Sequence, residues 1–334
     1  MNKYSFLLLT LILSIFLSGC AQKVRIKALN PAQIDRATST KNIAVVRFKN
    51  DGVGLSSKIE RNLSRFKIEN KPFFTVVSRN SINQVLKEQK LQNSGLVETG
   101  DIVEVGNLIG AQALISGRVG NANLSDTRFY EKRAKCANKK CTELYYYKVS
   151  CTKRVISLSA DIKMVDVRKG DIIYADSSSK SSKFSHCKDD SRVLPSKESV
   201  AQRLAVSIAS DFTYKLTPYY TYFEVELLDD PDLDYDDTQE TLLESSLEYI
   251  EHNRLNKAEN LLKRLVDSTS QQSYVAFYNL GLVKEAQGDY EKAKLYYEKA
   301  DNLTIEPVES VDKAYLRINS IIDKHKQTSQ QMNR

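Results

Sequence analysis

Cysteine and histidine are the side chains of this 334-residue sequence whose spacing suggests either a zinc site or disulfide crosslinks. Four cysteines fall in the middle of the chain, at Cys136, Cys141, Cys151 and Cys187, and His186 precedes the last of them. The C-x4-C spacing near a histidine is compatible with a zinc site, whereas an even number of cysteines in an exported protein favours disulfides. The export signal described below decides for oxidation, so we predict two disulfides and expect no metal or other cofactor.

The pairing of these cysteines can be predicted from the register of a hairpin. If residues 168–170, Arg-Lys-Gly, form a three-residue turn, Val167 pairs with Asp171, and the numbers of paired residues add up to 338. Cys151 and Cys187 also add up to 338. They would therefore lie directly opposite one another, where Cβ atoms are ~4.5–5.5 Å apart and a disulfide can form.

The same register predicts the surroundings of the two bridges. Cys151 and Ser157 are an even number of residues apart, so their side chains lie on the same face of the strand. This places the bridge from Cys151 to Cys187 on the polar face of the hairpin. Cys136 and Cys141 remain to pair with each other, and their bond would close a small loop.

Catalytic motifs are not found in the sequence. Its three histidines, His186, His252 and His325, belong to no HExxH motif, and there is no GxSxG, P-loop or dinucleotide-binding fingerprint. We therefore expect a protein that is not an enzyme and that has no catalytic residues.

The N-terminus is typical of an exported lipoprotein. Lys3 supplies the positive charge of a signal peptide, and residues 6–16 form an apolar segment too short to span a bilayer. The sequence Leu-Ser-Gly-Cys at 17–20 resembles a bacterial lipobox, which predicts removal of residues 1–19 and lipidation of Cys20. No aspartate follows, which resembles the pattern of lipoproteins sent to the outer membrane. We expect the mature protein to be anchored there by its lipid, facing the periplasm.

The net charge of +7, with a sequence pI near 8.9, would suggest a nucleic-acid ligand in a cytoplasmic protein. Export removes that interpretation, so no nucleic-acid partner is expected. Residues 128–151 are rich in lysine and arginine and contain three consecutive tyrosines, Tyr145–Tyr147. This segment is either a surface for a glycan or an acidic partner, or a solvated hairpin or loop.

Apolar periodicity predicts a mixed sheet with packed helices, an α+β domain, in residues 42–228. Its first half should contain strands at 43–48, 73–77 and 112–119 and helices that begin at Leu55, Ser78 and Asp101. Its second half should contain an alternating strand at 155–164, a partner strand at 171–184, a helix at 197–216 capped by Ser196, and a strand at 220–228. The polar residues 20–41 before this domain are predicted to form a tether.

Three segments of this domain carry a family resemblance. They read VVSR at 76–79, LKEQKLQNSGLVETG at 86–100 and VGNLIGAQALISGRV at 105–119. In this order they resemble the CsgG family, the lipoproteins of curli secretion and their relatives in bacterial envelopes. The resemblance implies a CsgG-like fold for residues 42–228, but it implies no single activity because function varies within the family.

The C-terminal third changes in composition. Residues 229–238 are rich in aspartate and are predicted to form a linker. Residues 239–326 resemble tetratricopeptide (TPR) repeats, most clearly SYVAFYNLGLVKEAQGDYEKAKLYYEKA at 273–300, with a weaker copy before it. We therefore predict an all-α domain of helical hairpins.

The repeat resemblance also implies a binding surface. Tyr278, Asn279 and Glu285 lie on the first helix of the clearer repeat, where such positions can line a concave peptide-binding groove. An amphipathic helix at 311–322 should cap the repeats, and residues 327–334 should form a polar tail.

Two functions of different classes fit this sequence. We favour an outer-membrane lipoprotein that serves as a periplasmic assembly or scaffold factor and binds envelope proteins or peptides through its repeats. The alternative, implied by the CsgG resemblance, is an oligomeric secretion-channel subunit of the outer membrane. A channel needs strands of roughly 9–11 residues with an uninterrupted apolar face. The segments after residues 114–119 and after the turn at 168–171 are too polar, which favours the scaffold; either function allows a homo-oligomer.

Overall fold

A computed structural model describes residues 22–78 and 106–334 of the chain. The predicted signal peptide and Cys20 lie outside these residues, as do most of the helix expected from Ser78 and the first part of the helix expected from Asp101. The chain divides into two compact units. The sheet unit contains Ala32–Pro218 and Gln330–Arg334, and the helical unit contains the residues up to Pro31 together with Tyr219–Ser329.

The named strands and helices are numbered in chain order. The strands are β1 Lys23–Asn30, β2 Asn42–Val45, β3 Lys67–Ile68, β4 Lys71–Pro72, β5 Thr75–Val76, β6 Ala113–Val119, β7 Asn123–Cys136, β8 Leu144–Asp166, β9 Ile172–Cys187 and β10 Tyr219–Glu226. The helices are α1 Asp35–Thr38, α2 Leu55–Arg65, α3 Lys197–Leu216, α4 Asp237–Glu251, α5 Leu255–Ser268, α6 Tyr274–Gln287, α7 Tyr290–Leu303 and α8 Glu309–Met332. The predicted fold class, a mixed sheet with packed helices followed by helical hairpins, is confirmed.

One mixed sheet forms the sheet unit. Strand β2 lies between β5 and β6 and is parallel to both. Strand β6 is antiparallel to the C-terminal part of β8, whereas β7 is antiparallel to the N-terminal part of β8. Strand β9 pairs with the opposite edge of β8, since Ala160 has partners in both β6 and β9. Strand β8 therefore holds three other strands in place.

Apolar residues at regular spacing give this unit its core, as the sequence predicts. Alternate residues of β8 are buried: Ile156, Leu158, Ala160, Ile162 and Met164. Helix α3 packs against β8 and β9 and buries the predicted stripe of Val200, Leu204, Ile208 and Phe212. The predicted cap is also present, because Ser196 Oγ accepts a hydrogen bond from the backbone N–H of Ser199 at 3.2 Å.

The turn between β8 and β9 differs from the prediction. The backbone N–H of Asp166 donates to the Asp171 carbonyl at 2.9 Å, and Val165 pairs with Ile172, so the loop has four residues rather than three. A β-bulge between Met164 and Val165 then shifts the register by one residue. Beyond the bulge the pairing is the one that the sequence argument predicts, although the argument assumed that there was no bulge.

Strand β5 is also shorter than expected. Residues 73–77 were predicted to form a strand buried on both faces, but only Thr75–Val76 pair with β2. Phe73 and Phe74 are buried before the strand starts, and the side chain of Thr75 is exposed. The apolar run thus reflects packing of two aromatic rings rather than a central strand.

Helical hairpins form the second unit, and they are consistent with TPR-like repeats. Helices α4 and α5 form one hairpin, α6 and α7 form the next, and α8 follows. A Cβ atom at Gly281 would lie 2.5 Å from the Tyr297 ring, so only glycine allows α6 and α7 to pack this closely. Ala258 and Ala293, the small residues at matching positions of the two repeats, are fully buried.

The ends of this unit correct three expected boundaries. Residues 23–30, placed in the predicted tether, form β1 and pair along their whole length with β10. Strand β10, expected to close the first domain, belongs to the helical unit. The expected polar tail is helical up to Met332, and it contains two buried residues, Thr328 of this unit and Gln331 of the sheet unit. In β1 the physical reason is alternation, because Val24 and Ile26 are buried between exposed Lys23, Arg25 and Lys27.

The acidic segment 229–237 is held in place by one of its own aspartates. Asp232 accepts hydrogen bonds from the backbone N–H of Tyr274 at 2.6 Å and from the Ser273 hydroxyl at 2.7 Å. It therefore caps the start of α6, where a negative charge is favourable. The segment is a connection fixed at one point rather than a free linker.

Candidate functional site

The long hairpin of β7 and β8 exposes a distinctive set of basic and aromatic side chains. Its strands pair without interruption from Asn123 and Ser157 to Cys136 and Leu144. A disulfide between Cys136 and Cys141 closes the loop at its end, as the sequence argument predicts. The basic, tyrosine-rich segment 128–151 is thus a hairpin, which leaves its two faces to be considered separately.

One face of the hairpin packs against the end of β9. The predicted disulfide between Cys151 and Cys187 lies on this face, and the two residues are opposite one another in the strand register. The bridge is buried with Val149 and beside Phe129, so the expectation that it lies in polar surroundings is wrong. The residues near the base of this face are polar, but those near the bridge are apolar.

Ion pairs complete the packing of this first face. Arg133 pairs with Asp189 and with Asp190, each at 3.0 Å, and the Tyr147 hydroxyl donates to Asp189 at 2.9 Å. The hydrogen bond to Asp189 raises the pKa of Tyr147, and the backbone N–H of Cys187 together with Arg133 lowers the pKa of Asp190. The charges on this side of the hairpin therefore neutralise each other.

The opposite face of the hairpin, which we call the basic face, has no such partners. It consists of alternate residues from the two strands: Arg128, Tyr130, Lys132, Leu144, Tyr146 and Lys148. Tyr130 is 71%, Tyr146 61% and Leu144 52% exposed. The Lys132 ammonium lies 4.4 Å from the centre of the Tyr146 ring, a cation–π contact.

The nearest carboxylate in line with the basic face, Asp126, is already paired with Arg154. Within the described chain, its three cations form no salt bridge, and the ion pair of Asp126 with Arg154 at 2.6 Å lies one step further toward the base. Hydrogen bonding to Arg154 lowers the pKa of Asp126, so this pair stays charged and closed. The basic face thus offers uncompensated positive charge beside exposed aromatic rings, an arrangement suited to an anionic partner.

The predicted repeat groove is occupied by the chain itself. Tyr278, Asn279 and Glu285, which we expected to bind a partner, are fully buried. The Asn279 side chain accepts from the backbone N–H of Leu228 at 3.0 Å and donates to the Leu228 carbonyl at 2.7 Å. The Tyr278 hydroxyl donates to the Glu226 carbonyl at 2.9 Å, and burial raises the pKa of Tyr278 to about 12. Tyr278 and Asn279 thus bind the end of β10 and the residues just after it, so they offer no surface to an external peptide.

Glu285 has a structural role as well. Its carboxylate accepts hydrogen bonds from Arg317 at 2.9 and 2.8 Å and from the Tyr297 hydroxyl at 2.5 Å. Burial, with the nearby Glu285 charge, raises the pKa of Tyr297 well above its ordinary value. This network joins α6, α7 and α8, and sequence reasoning missed Arg317 because its partner lies 32 residues away.

Comparison with known proteins identifies the part of the chain that carries the hairpin. Residues 27–188 match the family model described as "Curli production assembly/transport component CsgG". Over these residues the chain is similar to the CsgG family. The resemblance predicted from the sequence is confirmed, and the matched segment ends one residue after β9.

Several solved structures are similar to this chain at low identity. The LpoB C-terminal domain from Salmonella enterica is 13% identical, with a TM-score of 0.26, over 44% of this chain and 94% of that one. Lipoprotein GNA1162 from Neisseria meningitidis is 14% identical, with a TM-score of 0.27, over 52% and 97%. The E. coli LpoB solution structure is 13% identical, with a TM-score of 0.26, over 48% and 71%. No curated protein matches the chain.

The sheet unit also contains a cleft of about 380 Å³ on its sheet. Lys49, Arg118 and Lys163 line it together with Asp161, whose carboxylate accepts a hydrogen bond from the Ser177 hydroxyl at 2.7 Å. The cleft is open and mixed in charge. It is therefore a weaker candidate than the basic face of the hairpin.

A metal centre was the alternative use of the cysteines. In the described residues, the one group of three candidate ligands within 4.8 Å of one another is Glu131, Cys151 and Cys187. Both sulfur atoms belong to the disulfide, so no thiolate is available to a metal ion. His186 pairs with Thr152 in the neighbouring register position, which places it on the opposite face from Cys187.

The helices of both units are too polar or too short for a membrane span. Over residues 22–78 and 106–334, none of them is long and apolar enough to cross a bilayer.

Proposed function

We propose that this protein is an outer-membrane lipoprotein that acts as a periplasmic assembly or scaffold factor, and that its basic face binds an acidic protein partner. The lipobox at residues 17–20 supports the lipid anchor, and the CsgG-family domain supports a place in the bacterial envelope. The observation that carries partner binding is the basic face itself. It places three cations and two exposed tyrosines on one surface without a carboxylate.

The chemistry of the basic face favours a protein partner. Tyrosine and arginine are enriched at the energetic centres of protein interfaces, where an amphipathic ring can pack and still form hydrogen bonds. Lysines around such a centre speed association with an acidic surface and reject a basic one. The groove of the repeats is the weaker candidate, since Asn279 and Glu285 already have partners within the chain.

Charge reversal on the hairpin tests this proposal. The double variant Lys132→Glu and Lys148→Glu changes the basic face without touching the disulfides or the ion pairs of Arg133. Its matched control is Lys257→Glu and Lys324→Glu, an equal change of charge at two exposed lysines of the helical unit. In crosslinked envelopes, the hairpin variant should lose its protein partner and the control should keep it. If both variants capture the same partner with the same salt dependence, the basic face is not the binding surface.

The lipid anchor has a separate test. Cys20→Ser should release the protein from outer-membrane fractions, because no acyl chain can be attached to serine at this position. Unchanged fractionation would show that the protein is held in the membrane in another way.

A secretion-channel subunit is the second candidate, and strand length favours it. Strands β7, β8 and β9 have 14, 23 and 16 residues, more than the roughly 9–11 that a membrane-spanning strand needs. Against it, the basic face carries Arg128, Lys132 and Lys148, and charge on a lipid-facing strand costs about 2–4 kcal/mol per residue at the bilayer midplane. Purified protein in planar bilayers should give no defined conductance steps if the scaffold proposal is correct.

A further inference from the structure

The ribbon of β1 and β10 has two faces of different character. Its inner face carries Val24 and Ile26, which are 4% and 0% exposed and belong to the core of the helical unit. The Tyr290 hydroxyl donates to the Lys27 carbonyl at 3.2 Å and adds a polar link to the helices. The ribbon is therefore fixed to the helical unit.

The outer face of the ribbon, which we call the ribbon face, is basic and aromatic. It is formed by alternate residues of the two strands: Lys23, Arg25, Lys27, Tyr220, Tyr222, Glu224 and Glu226. The Arg25 guanidinium lies 4.7 Å from the centre of the Tyr222 ring, and the Lys27 ammonium lies 3.8 Å from that of Tyr220. Tyr222 is 54% and Tyr220 37% exposed. These rings present an apolar edge and a hydroxyl to the surroundings.

Only a short stretch of chain separates Cys20 from the ribbon, and this indicates what the ribbon face contacts. The Gln22 carbonyl already accepts a hydrogen bond from the backbone N–H of Leu227 at 2.9 Å, so the chain is fixed to the ribbon from that residue onward. Only Ala21 separates Gln22 from Cys20. Two residue steps reach at most about 7 Å, which leaves no room for a long spacer between the acyl chains and the ribbon.

We propose that the ribbon face docks on the anionic phospholipid surface into which the acyl chains of Cys20 insert. This inference rests on the lipid anchor of the proposed function. The anchor holds the ribbon within about one Debye length, roughly 8 Å, of the headgroups, so its cations act on the anionic surface without full screening by salt. Amphipathic tyrosines prefer this level of a membrane, with the ring among the upper acyl chains and the hydroxyl in water.

The charge balance of the ribbon face limits what electrostatics supply. Three cations stand against two carboxylates, and one of these, Glu226, pairs with Lys23 at 3.5 Å. Net attraction is therefore modest, and the acyl chains supply most of the membrane affinity. The ribbon face instead determines which surface of the helical unit lies on the membrane.

A tryptophan probe can test the orientation, since the chain contains no tryptophan of its own. Tyr222→Trp places the probe on the ribbon face, and the matched control Tyr130→Trp places it on the basic face of the hairpin, also at an exposed tyrosine. The lipidated full chain is reconstituted in vesicles of phosphatidylcholine and phosphatidylglycerol that are brominated near the headgroups. We expect a blue shift and strong quenching of the ribbon-face probe, and little change in the fluorescence of the hairpin probe.

Flotation of the same vesicles distinguishes docking of the ribbon face from attachment by the lipid anchor. Flotation without quenching of the ribbon-face probe, or with stronger quenching of the hairpin probe, would overturn the docking but leave the lipid anchor standing. Absence of flotation would overturn both. The charge-reversal variant Arg25→Glu and Lys27→Glu, in the Tyr222→Trp background, should float as before and lose quenching. Unchanged quenching in that variant, or equal quenching in vesicles of phosphatidylcholine alone, would overturn recognition of the anionic surface.

Discussion

Replacement of Arg317 by methionine removes the cation from the buried network of the helical unit. Glu285 is fully buried and receives two hydrogen bonds from Arg317 and one from Tyr297. Methionine keeps much of the volume of the arginine stem, so the main effect is a buried carboxylate without its counter-charge. Such a loss costs about 3–5 kcal/mol. The Arg317 side chain is 21% exposed, so water can replace part of its role, and we expect a destabilisation near the lower end, about 3 kcal/mol.

A second substitution should recover most of that loss. Glu285→Gln removes the unpaired charge and keeps an acceptor for the Tyr297 hydroxyl. Combined with Arg317→Met, it should therefore be more stable than Arg317→Met alone, because a buried ion pair replaced by neutral groups is often close to neutral in free energy. Urea unfolding of the intact chain, followed by far-ultraviolet circular dichroism, measures the free energies.

The surface pair of Lys263 with Glu259 provides the control. It has i,i+4 spacing, and the Lys263 side chain is 49% exposed, so Lys263→Met should cost only about 0.5 kcal/mol. If Arg317→Met costs as little as this control, or if Glu285→Gln fails to recover stability, the network does not hold the helices as argued.

The disulfide register, one carboxylate and the acidic segment each give a further expected outcome. Peptide mapping without reduction should find Cys151 joined to Cys187, and a free thiol at either position would contradict the register. Burial would raise the pKa of Glu259, but hydrogen bonds from two lysines and a glutamine lower it to about 2. Its contribution to stability is thus present above about pH 4.5 and is lost as the pH falls toward 2, so Glu259→Gln should show a weaker dependence of urea unfolding on pH in this window. If the variant and the unchanged protein showed the same dependence on pH, the contribution of Glu259 would be refuted. Limited proteolysis should cut first within residues 229–237. Cleavage should be faster in Asp232→Ala, because the side chain of Asp232 fixes this segment to α6. Equal cleavage rates in the variant and the unchanged protein would show that this cap is unimportant.

Local periodicity made much of the fold predictable. Helix α3 has an apolar stripe, a serine cap and a proline after its end, and the structure has this helix at the predicted residues. The alternation in β8 likewise identified its buried face. These signals depend on neighbours within a few residues, so no knowledge of the remaining chain is needed.

The misplaced elements depended on distant parts of the chain. Strand β1 has a clear alternation in KVRIKALN, but its many polar residues made it look like a tether. Its partner, β10, lies almost 200 residues away, so nothing near β1 in the sequence indicated the pairing. The bulge at Met164 has no marker in the sequence, and the predicted cysteine pairing agrees with the structure because the bulge corrects a turn of different length. The even-numbered residues Arg128, Tyr130 and Lys132 could have indicated the basic face, had β7 been recognised as a strand.

The repeat groove shows why a family resemblance could not settle where partners bind. Asn279 and Glu285 are the residue types that hold a peptide in such grooves, and Asn279 holds one here, but that peptide is the end of β10. A covalently attached occupant competes at an effective concentration of roughly millimolar, so an external peptide must overcome it and also break both bonds to Leu228.

Displacement of that occupant would have a consequence at the other end of the same strand. Strand β10 pairs with β1 along its whole length, and β1 begins three residues after Cys20. A peptide that took the place of Leu228 in the groove would therefore pull on the strand that carries Tyr220 and Tyr222, the aromatic part of the ribbon face. Binding in the groove and contact at the ribbon would oppose each other, because both use β10. The basic face of the hairpin uses no part of this strand, so it can bind a partner without that cost.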